Sequence, residues 1–394
     1  MAPPAQLLSL LRSIIWKDAH TLFALSHSLE SQLAETVRYG LVGVGMMGVE
    51  HIHNLAVTPG AVVTAIADPV ERSLGPAREA LGPKADLVTA FETGAELARS
   101  GLVDCVIVSS PNKTHREVLE PMFEAGLPIL CEKPLATTLE DARWIVEQAE
   151  RAAAPFWTAM EYRYMPPAEA FIGEVHGGRV GRLQMLSIRE HRFPFLRKVG
   201  DWNRFAANTG GTMVEKCCHF FDLMRLITRS EAVRVYCSGA MDVNHLDESY
   251  EGRRPDIIDN SYTTIDFANG VRAMLDLCMF ADGAENQEEI TAVGDAARLD
   301  VLIPSGDIVY SPRVGFRNPK RVERRVVEVD PIALKAGTHH GSTFYEHQRF
   351  NAAVRGAGPV EVTARDGLMA VAIGAAAEIS AREKRVVEMS ELGF

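Results

Sequence analysis

From Val37 to about Ala154, short apolar runs alternate with stretches of helical periodicity. Tyr39 to Val42, Ala61 to Ala67, Asp86 to Val88, Val103 to Val108 and Leu127 to Cys131 read as strands. The segments from Val49 onward, Glu92 to Ser100, His115 to Ala125 and Leu139 to Ala153 read as helices between and after them. Strands that are apolar at nearly every position and separated by helices predict a parallel sheet covered on both faces. Beyond Phe156 the pattern changes. Leu183 to His191, Val233 to Ser238, Ser261 to Phe267, Val271 to Phe280, Glu288 to Val293 and Val322 to Val329 alternate in polarity. Period-two alternation with few intervening helices predicts a large, mostly antiparallel sheet with one open face. Helices are predicted over Gly211 to Thr228, Phe344 to Arg355 and Ala364 to Ala381, and the charged stretch Asp247 to Asp256 reads as a surface loop. The fold class is therefore α/β, with a parallel-sheet domain over residues 37–155 and an α+β domain over residues 156–394.

Residues 1–36 stand apart. Leu7, Leu8, Leu11, Ile14 and Ile15 have helical spacing, but Arg12, Lys17 and Asp18 interrupt any signal-peptide core. A subunit-packing arm, an unstructured extension and a misplaced translation start remain open readings. With 394 residues and 47% hydrophobic content, the chain can bury the cores of two domains. A formal net charge of −11 argues against a nucleic-acid partner, because phosphate neutralisation needs clustered Lys and Arg. No apolar run approaches the roughly twenty residues of a membrane span. The six cysteines show no C-x-x-C spacing, which fits reduced, packed thiols in a cytoplasmic protein and gives no metal site.

Candidate chemistry begins at the turn after the first strand. In RYGLVGVGMMG, Gly43, Gly45 and Gly48 fall in G-x-G-x-x-G order, and Asp68 ends the next strand twenty residues beyond Gly48. Strand, glycine turn, helix, strand and acid together predict a dinucleotide site of the Rossmann kind. The pyrophosphate would sit on the helix N-terminus and the ribose on Asp68. Asp68 would repel a 2′-phosphate, and Arg72 is the only basic residue just beyond it, so NAD is expected over NADP. Two further loops, Ser109 to His115 and Glu132-Lys133-Pro134, follow strands at the same sheet edge and are expected to wall the cofactor.

Lys133 at that edge can donate to a substrate oxygen, and Pro134 restricts it to extended geometry. On the predicted helix after Asn208-Thr209-Gly210-Gly211, Glu215, His219 and Asp222 fall at i, i+4 and i+7 and so share one face. A carboxylate one turn before a histidine can orient it as proton acceptor from a secondary alcohol. Glu-x-x-x-His without a third ligand is a weak metal signal, and no metal is expected.

The glycine loop, SSPNKTH, CEKP and GGTMVEKCCHFFD occur in this order. Together, from about Val37 to the C-terminus, they resemble the glucose-fructose oxidoreductase/inositol dehydrogenase (Gfo/Idh/MocA) family. That resemblance implies NAD-dependent oxidation of a ring hydroxyl of a cyclic polyol, sugar or glycoside. Lys133 matches the family's E-K-P lysine and His219 its catalytic histidine. Glu215 stands where the family usually has Asp, and Cys217 where it often has glycine. Met46 and Met47 within the glycine loop, and Ser110, Pro111, Asn112, His115, Glu132, Glu161 and Arg163, are implied cofactor contacts. Arg163, Trp202, Asn203, His340 and its neighbour His339 are implied around the substrate. The resemblance also implies a homo-oligomer, a dimer or tetramer. Two alternatives stand beside this reading: an oxidoreductase that never releases its cofactor and couples two sugars, and a non-enzymatic sensor of nucleotide and sugar.

Overall fold

The computed structural model describes residues 36–394. The expected N-terminal extension lies outside the described residues, Thr36 excepted. Six strands form the first sheet: β1 (Val37–Val42), β2 (Ala61–Ala67), β3 (Thr89–Phe91), β4 (Cys105–Val108), β5 (Ile129–Glu132) and β6 (Phe156–Ala159). Their order is β3-β2-β1-β4-β5-β6 and every pairing is parallel. The order reverses between β1 and β4. In open α/β sheets ligands bind at that switch point, beyond the strands' carboxyl ends. The β1–glycine loop and the Ser109–His115 loop both emerge there. Helices Met46–Val57, Glu71–Leu81, Gly94–Arg99, His115–Glu124 and Leu139–Arg151 cover the faces.

The second sheet has nine strands in the order β14-β13-β12-β11-β7-β10-β9-β8-β15. These are β7 (Leu183–His191), β8 (Ala232–Ala240), β9 (Asn260–Phe267), β10 (Arg272–Cys278), β11 (Glu288–Gly294), β12 (Ala297–Ile303), β13 (Asp307–Pro312), β14 (Glu323–Val326) and β15 (Val387–Glu388). Only β7–β10 pair in parallel. Alternation works as expected: Leu186, Ile188, Ala273, Leu275 and Leu277 are buried on one face. That face packs on Phe171, Phe220, Phe221, Met224, Ile373 and Ala376 from three helices, Pro166–His176, Cys218–Thr228 and Ala364–Glu383. The other face is open, with Met185, Tyr236, Tyr262 and Met274 exposed.

Several expectations shift. The strand expected at Asp86 to Val88 is a 3-10 turn over Gly82–Leu87, and the strand follows it at Thr89–Phe91. The first sheet continues past residue 155, because β6 pairs with β5. Its Trp157 and Ala159 belong to the first core. The helix Ser342–Val354 also returns to that core through Phe350 and Ala353. Helix Ala364–Glu383 contributes Leu368 and Val371 to the first domain's packing, and Ala372, Ile373 and Ala376 to the second's. Its buried residues lie all round its circumference, so it is an internal spine with no solvent face for much of its length. Two lobes thus share elements from the end of the chain.

Candidate active site

The glycine turn has a separate physical reason for each glycine. Gly43 has φ +87°, the left-handed region that side chains avoid, and a Cβ there would lie 2.6 Å from the Ser110 backbone nitrogen. Gly48 packs so closely on Gly43 O that a Cβ would collide with it. A Cβ at Gly45 would instead meet nothing within 4 Å. Gly45 caps Met46–Val57 with no side-chain hydrogen bond, so the first N–H groups of that helix are open to an anion. Beside it lies a cavity of about 640 Å³ lined by Gly45, Met46 and Arg72 from the first domain and by Arg197, Lys198 and Asp201 from the second. Asp68 accepts the Val44 N–H at 2.9 Å and the Val70 N–H at 2.9 Å, one per oxygen. It therefore ties the glycine turn to β2, with a lone pair still free on each oxygen.

The two loops at the switch point are braced from behind. His115 is buried, with Nδ1 3.2 Å from Leu135 O and Nε2 3.1 Å from Ser110 O. It staples the Ser109–His115 loop to the segment after β5. Glu132 bonds His51 Nε2 at 3.0 Å and the Lys133 N–H at 3.0 Å, and His51 Nδ1 lies 3.0 Å from His347 Nε2. The peptide between Lys133 and Pro134 is cis. Lys133 Nζ donates to Glu215 O at 3.4 Å. Burial disfavours its charge, but Cys218, Glu132, Glu161 and Glu215 outweigh that and its pKa is raised. Lys133 is thus a held cation and a hydrogen-bond donor.

His219 is 2% exposed and stacks on Tyr162, ring centroids 4.1 Å apart and planes 10° from parallel. Its Nε2 lies 3.7 Å from Glu161 Oε1, and Nδ1 has no partner among the described residues. Burial, then Lys133, Lys216, His339 and Arg192, push its pKa well below the ordinary histidine value. A neutral imidazole can accept a proton. Burial, then the neighbouring Glu132, raise Glu161 to about 7. Asn112 Nδ2, both Glu161 oxygens, Glu215 Oε2 and His219 Nδ1 are all buried without partners among the described residues. Buried polar atoms are normally satisfied, and such a set beside an open helix N-terminus fits a bound cofactor and a hydroxylated ligand.

Two family models match: the NAD-binding Rossmann fold of the GFO_IDH_MocA oxidoreductase family over residues 37–160, and the C-terminal alpha/beta domain of that family over residues 173–389. The chain belongs to the Gfo/Idh/MocA family. The first domain is accordingly an NAD-binding Rossmann domain. A myo-inositol 2-dehydrogenase of Thermotoga maritima is 27% identical over 90% of this chain and 99% of that protein. The rhizopine catabolism protein MocA of Rhizobium meliloti is 30% identical over 49% of this chain, which spans 58% of that relative. A levoglucosan dehydrogenase solved with NADH superposes with a TM-score of 0.76 at 19% identity, covering 90% of this chain and 99% of that one, and shows the fold.

Within this family member, the residues singled out by sequence divide into three groups. Lys133, Glu161, Glu215 and His219 come together, and the Gly43–Gly48 turn, Asp68, Ser110 and Asn112 meet at the switch point. Half-buried Trp202 joins them through Lys198, whose Nζ is 4.6 Å from the indole and 3.1 Å from Glu215 Oε1. Asn203 is buried and donates to Leu196 O, so it braces the wall from behind. Other assignments need correction. The expected face of Glu215, His219 and Asp222 does not form, because the helix breaks between Thr212–Glu215 and Cys218–Thr228. The Cys217 N–H reaches back five residues to Thr212 O, a widened turn that redirects Glu215 to Lys198. Glu161, not Glu215, is the carboxylate facing His219. Arg163 is not free for cofactor or substrate: Nε and Nη2 each bond Asp222 at 2.5 Å, and Nη1 bonds Glu361 O at 3.1 Å. His339, not His340, bonds Glu50 at 2.6 Å, tying the loop before helix Ser342–Val354 to helix Met46–Val57. His340 is half-buried, with its backbone in the left-handed region at φ +52°. Sequence reasoning missed Tyr162, Glu190, Lys198, Lys216 and Glu288. Two buried acids facing each other across strands, Glu190 and Glu288, were a visible signal, since both stand at inward positions of alternating strands.

Proposed function

We propose that this chain is an NAD-dependent dehydrogenase that oxidises a ring secondary hydroxyl of a cyclic polyol, sugar or glycoside to a ketone. The observation that carries this reading is the pairing of a held ammonium, Lys133, with a buried imidazole, His219, beside the carboxyl edge of an NAD-binding sheet. Lys133 polarises the hydroxyl oxygen by hydrogen bonding and favours its alkoxide. His219 accepts the hydroxyl proton, and Glu161, facing its Nε2, stabilises the imidazolium that forms. Glu215, held by Lys198, presents a free Oε2 to a neighbouring hydroxyl. Trp202 offers a flat apolar wall for a ring face. NAD, when bound, supplies the hydride acceptor.

NAD is preferred over NADP in this reading because Asp68, fixed at the end of β2, places a carboxylate beside the adenosine end. Comparing KM values for the two cofactors tests it, and equal values would sink it. The exposed face bearing Met185, Tyr236, Tyr262 and Met274 supports a homo-oligomer built on the open sheet. The decisive experiment follows NADH absorbance with added NAD across inositols, monosaccharides, anhydrosugars and glycosides. A signal lost in Lys133→Ala supports the dehydrogenase reading. Silence across the panel in a protein that binds NAD would overturn it.

A further inference from the structure

A second buried lysine stands one residue past Glu215, and nothing in the reaction above uses it. Lys216 is 4% exposed. Its Nζ lies 2.6 Å from Tyr162 Oη and 3.0 Å from Glu190 Oε1. The same ammonium sits 4.6 Å from the Tyr162 ring centroid and 5.3 Å from that of Phe220. Glu190 of β7 is the cross-strand partner of Glu288 of β11. Burial and then Glu190 raise Glu288 to about 8, so Glu288 is largely protonated at neutral pH. An ammonium this deep is stable only where its charge is matched and its donors are used. Glu190 supplies the opposing charge and Tyr162 Oη accepts one hydrogen bond, while burial and then Arg192 lower the pKa of Lys216 and Glu190 acts against them.

Tyr162 is the link to the chemistry. Its hydroxyl takes Lys216, and its ring lies flat on His219. We infer that Lys216 and Tyr162 are positioning residues for His219: the Glu190-anchored ammonium fixes the phenol, and the stacked phenol fixes the imidazole. A stacked imidazole cannot swing about its Cβ–Cγ bond without losing that contact, so its Nε2 edge stays directed at Glu161. The charge of Lys216 also reaches His219. Facing the imidazole are Lys133 from the loop after β5, Glu161 and Tyr162 from the turn after β6, and His339 from the loop before helix Ser342–Val354. From the second sheet Arg192, just past β7, acts on it, while Glu190 of β7 and Glu288 of β11 act on Tyr162 and Lys216. Lys216, Cys218 and Asp222 belong to its own broken helix, Asp222 being neutralised by Arg163. Lys216 is one of four cationic groups that disfavour protonation of His219.

The inference rests on the dehydrogenase reading only for calling His219 the proton acceptor, so its test reads the histidine itself. In the full chain with isotope-labelled histidine, NMR titration follows the His219 ring, identified by its absence in His219→Gln. Lys216→Met is expected to raise its proton affinity roughly tenfold, as removal of one unit charge through weakly polar surroundings predicts. Lys216→Arg keeps the wild-type midpoint. Tyr162→Leu abolishes the ring-current shift of the stacked imidazole. Should Lys216→Met fail to fold, Lys216→Gln, which also removes the charge but keeps a polar side chain, moves the midpoint in the same direction. In turnover assays the acid limb of the kcat profile follows the midpoint to higher pH while the KM for NAD is unchanged. An unmoved midpoint in Lys216→Met, or in Lys216→Gln where that variant decides, overturns the inference, as does an equal shift in Lys216→Arg. Absence of turnover in the wild type would fell the dehydrogenase reading and leave the NMR result to judge this one.

Discussion

The two ends of the site are built on different principles. At the glycine turn, function comes from backbone: Gly43 supplies a left-handed turn, Gly48 a close approach and Gly45 an open helix terminus, all within six residues. At the end proposed to carry the chemistry, side chains are brought in by separate elements, and their protonation is set by burial together with the charges around them. Lys133 follows β5, Glu161 and Tyr162 follow β6, His219 lies on a helix of the second domain, and His339 reaches in from a loop nearly two hundred residues after Glu161. The backbone conformation of the first site is encoded within one short segment. The side-chain site depends on how the two lobes meet.

The comparison breaks most sharply at Lys133 and His219. Replacing either with Ala should cut turnover by about a hundredfold to ten-thousandfold, since positioned proton transfer is worth that much. NADH affinity, read by fluorescence titration, should change far less if the two ends are separable. Arg163→Ala tests a residue that only appears to belong to the site. It leaves Asp222 buried and unpaired, and should cost about 3–5 kcal/mol of stability in denaturant unfolding. A loss of nucleotide affinity with unchanged stability would restore Arg163 to the cofactor site.

Smaller changes sharpen the contrast. Gly48→Ala forces helix and turn apart and should destabilise by about 1–3 kcal/mol. Gly45→Ala, with open space before it, should leave unfolding unchanged and weaken NADH binding. Equal effects on stability would contradict the division of labour between these glycines. A pH-dependent effect concerns the Glu50–His339 link, which ties the loop before helix Ser342–Val354 to helix Met46–Val57. Burial works against its charge, but His339 and Thr338 hold Glu50 down at about 2, so its contribution is present above pH 4.5 and lost as pH falls toward 2. Burial opposes the charge on His339 as well, yet Glu50 raises its pKa, so that contribution is present below pH 6.5 and lost as pH rises through the raised value. The link is therefore complete between about pH 4.5 and 6.5. Glu50→Gln should cost about 1.5 kcal/mol there and less at alkaline pH, as thermal unfolding across pH would show.

What sequence alone determined follows from short-range rules. The glycine spacing with Asp68, the alternating strands of the second sheet, Lys133 before Pro134 and the family resemblance are all legible because chain neighbours fix them. Tertiary structure decided the rest. A continuous helical pattern from Gly211 to Thr228 hides the widened turn at Cys217, which sends Glu215 to Lys198 and leaves Glu161 to face His219. β3, β6, β13 and β15 are short or irregular in polarity, and only pairing with neighbours makes them strands, whereas β12 alternates cleanly and its pattern was readable. Arg163 reads as a site residue until Asp222 takes its guanidinium. The physical reason is the same in each case. Periodicity records which way a side chain points, whereas its partner and its protonation depend on groups far along the chain, and burial gives those partners their strength.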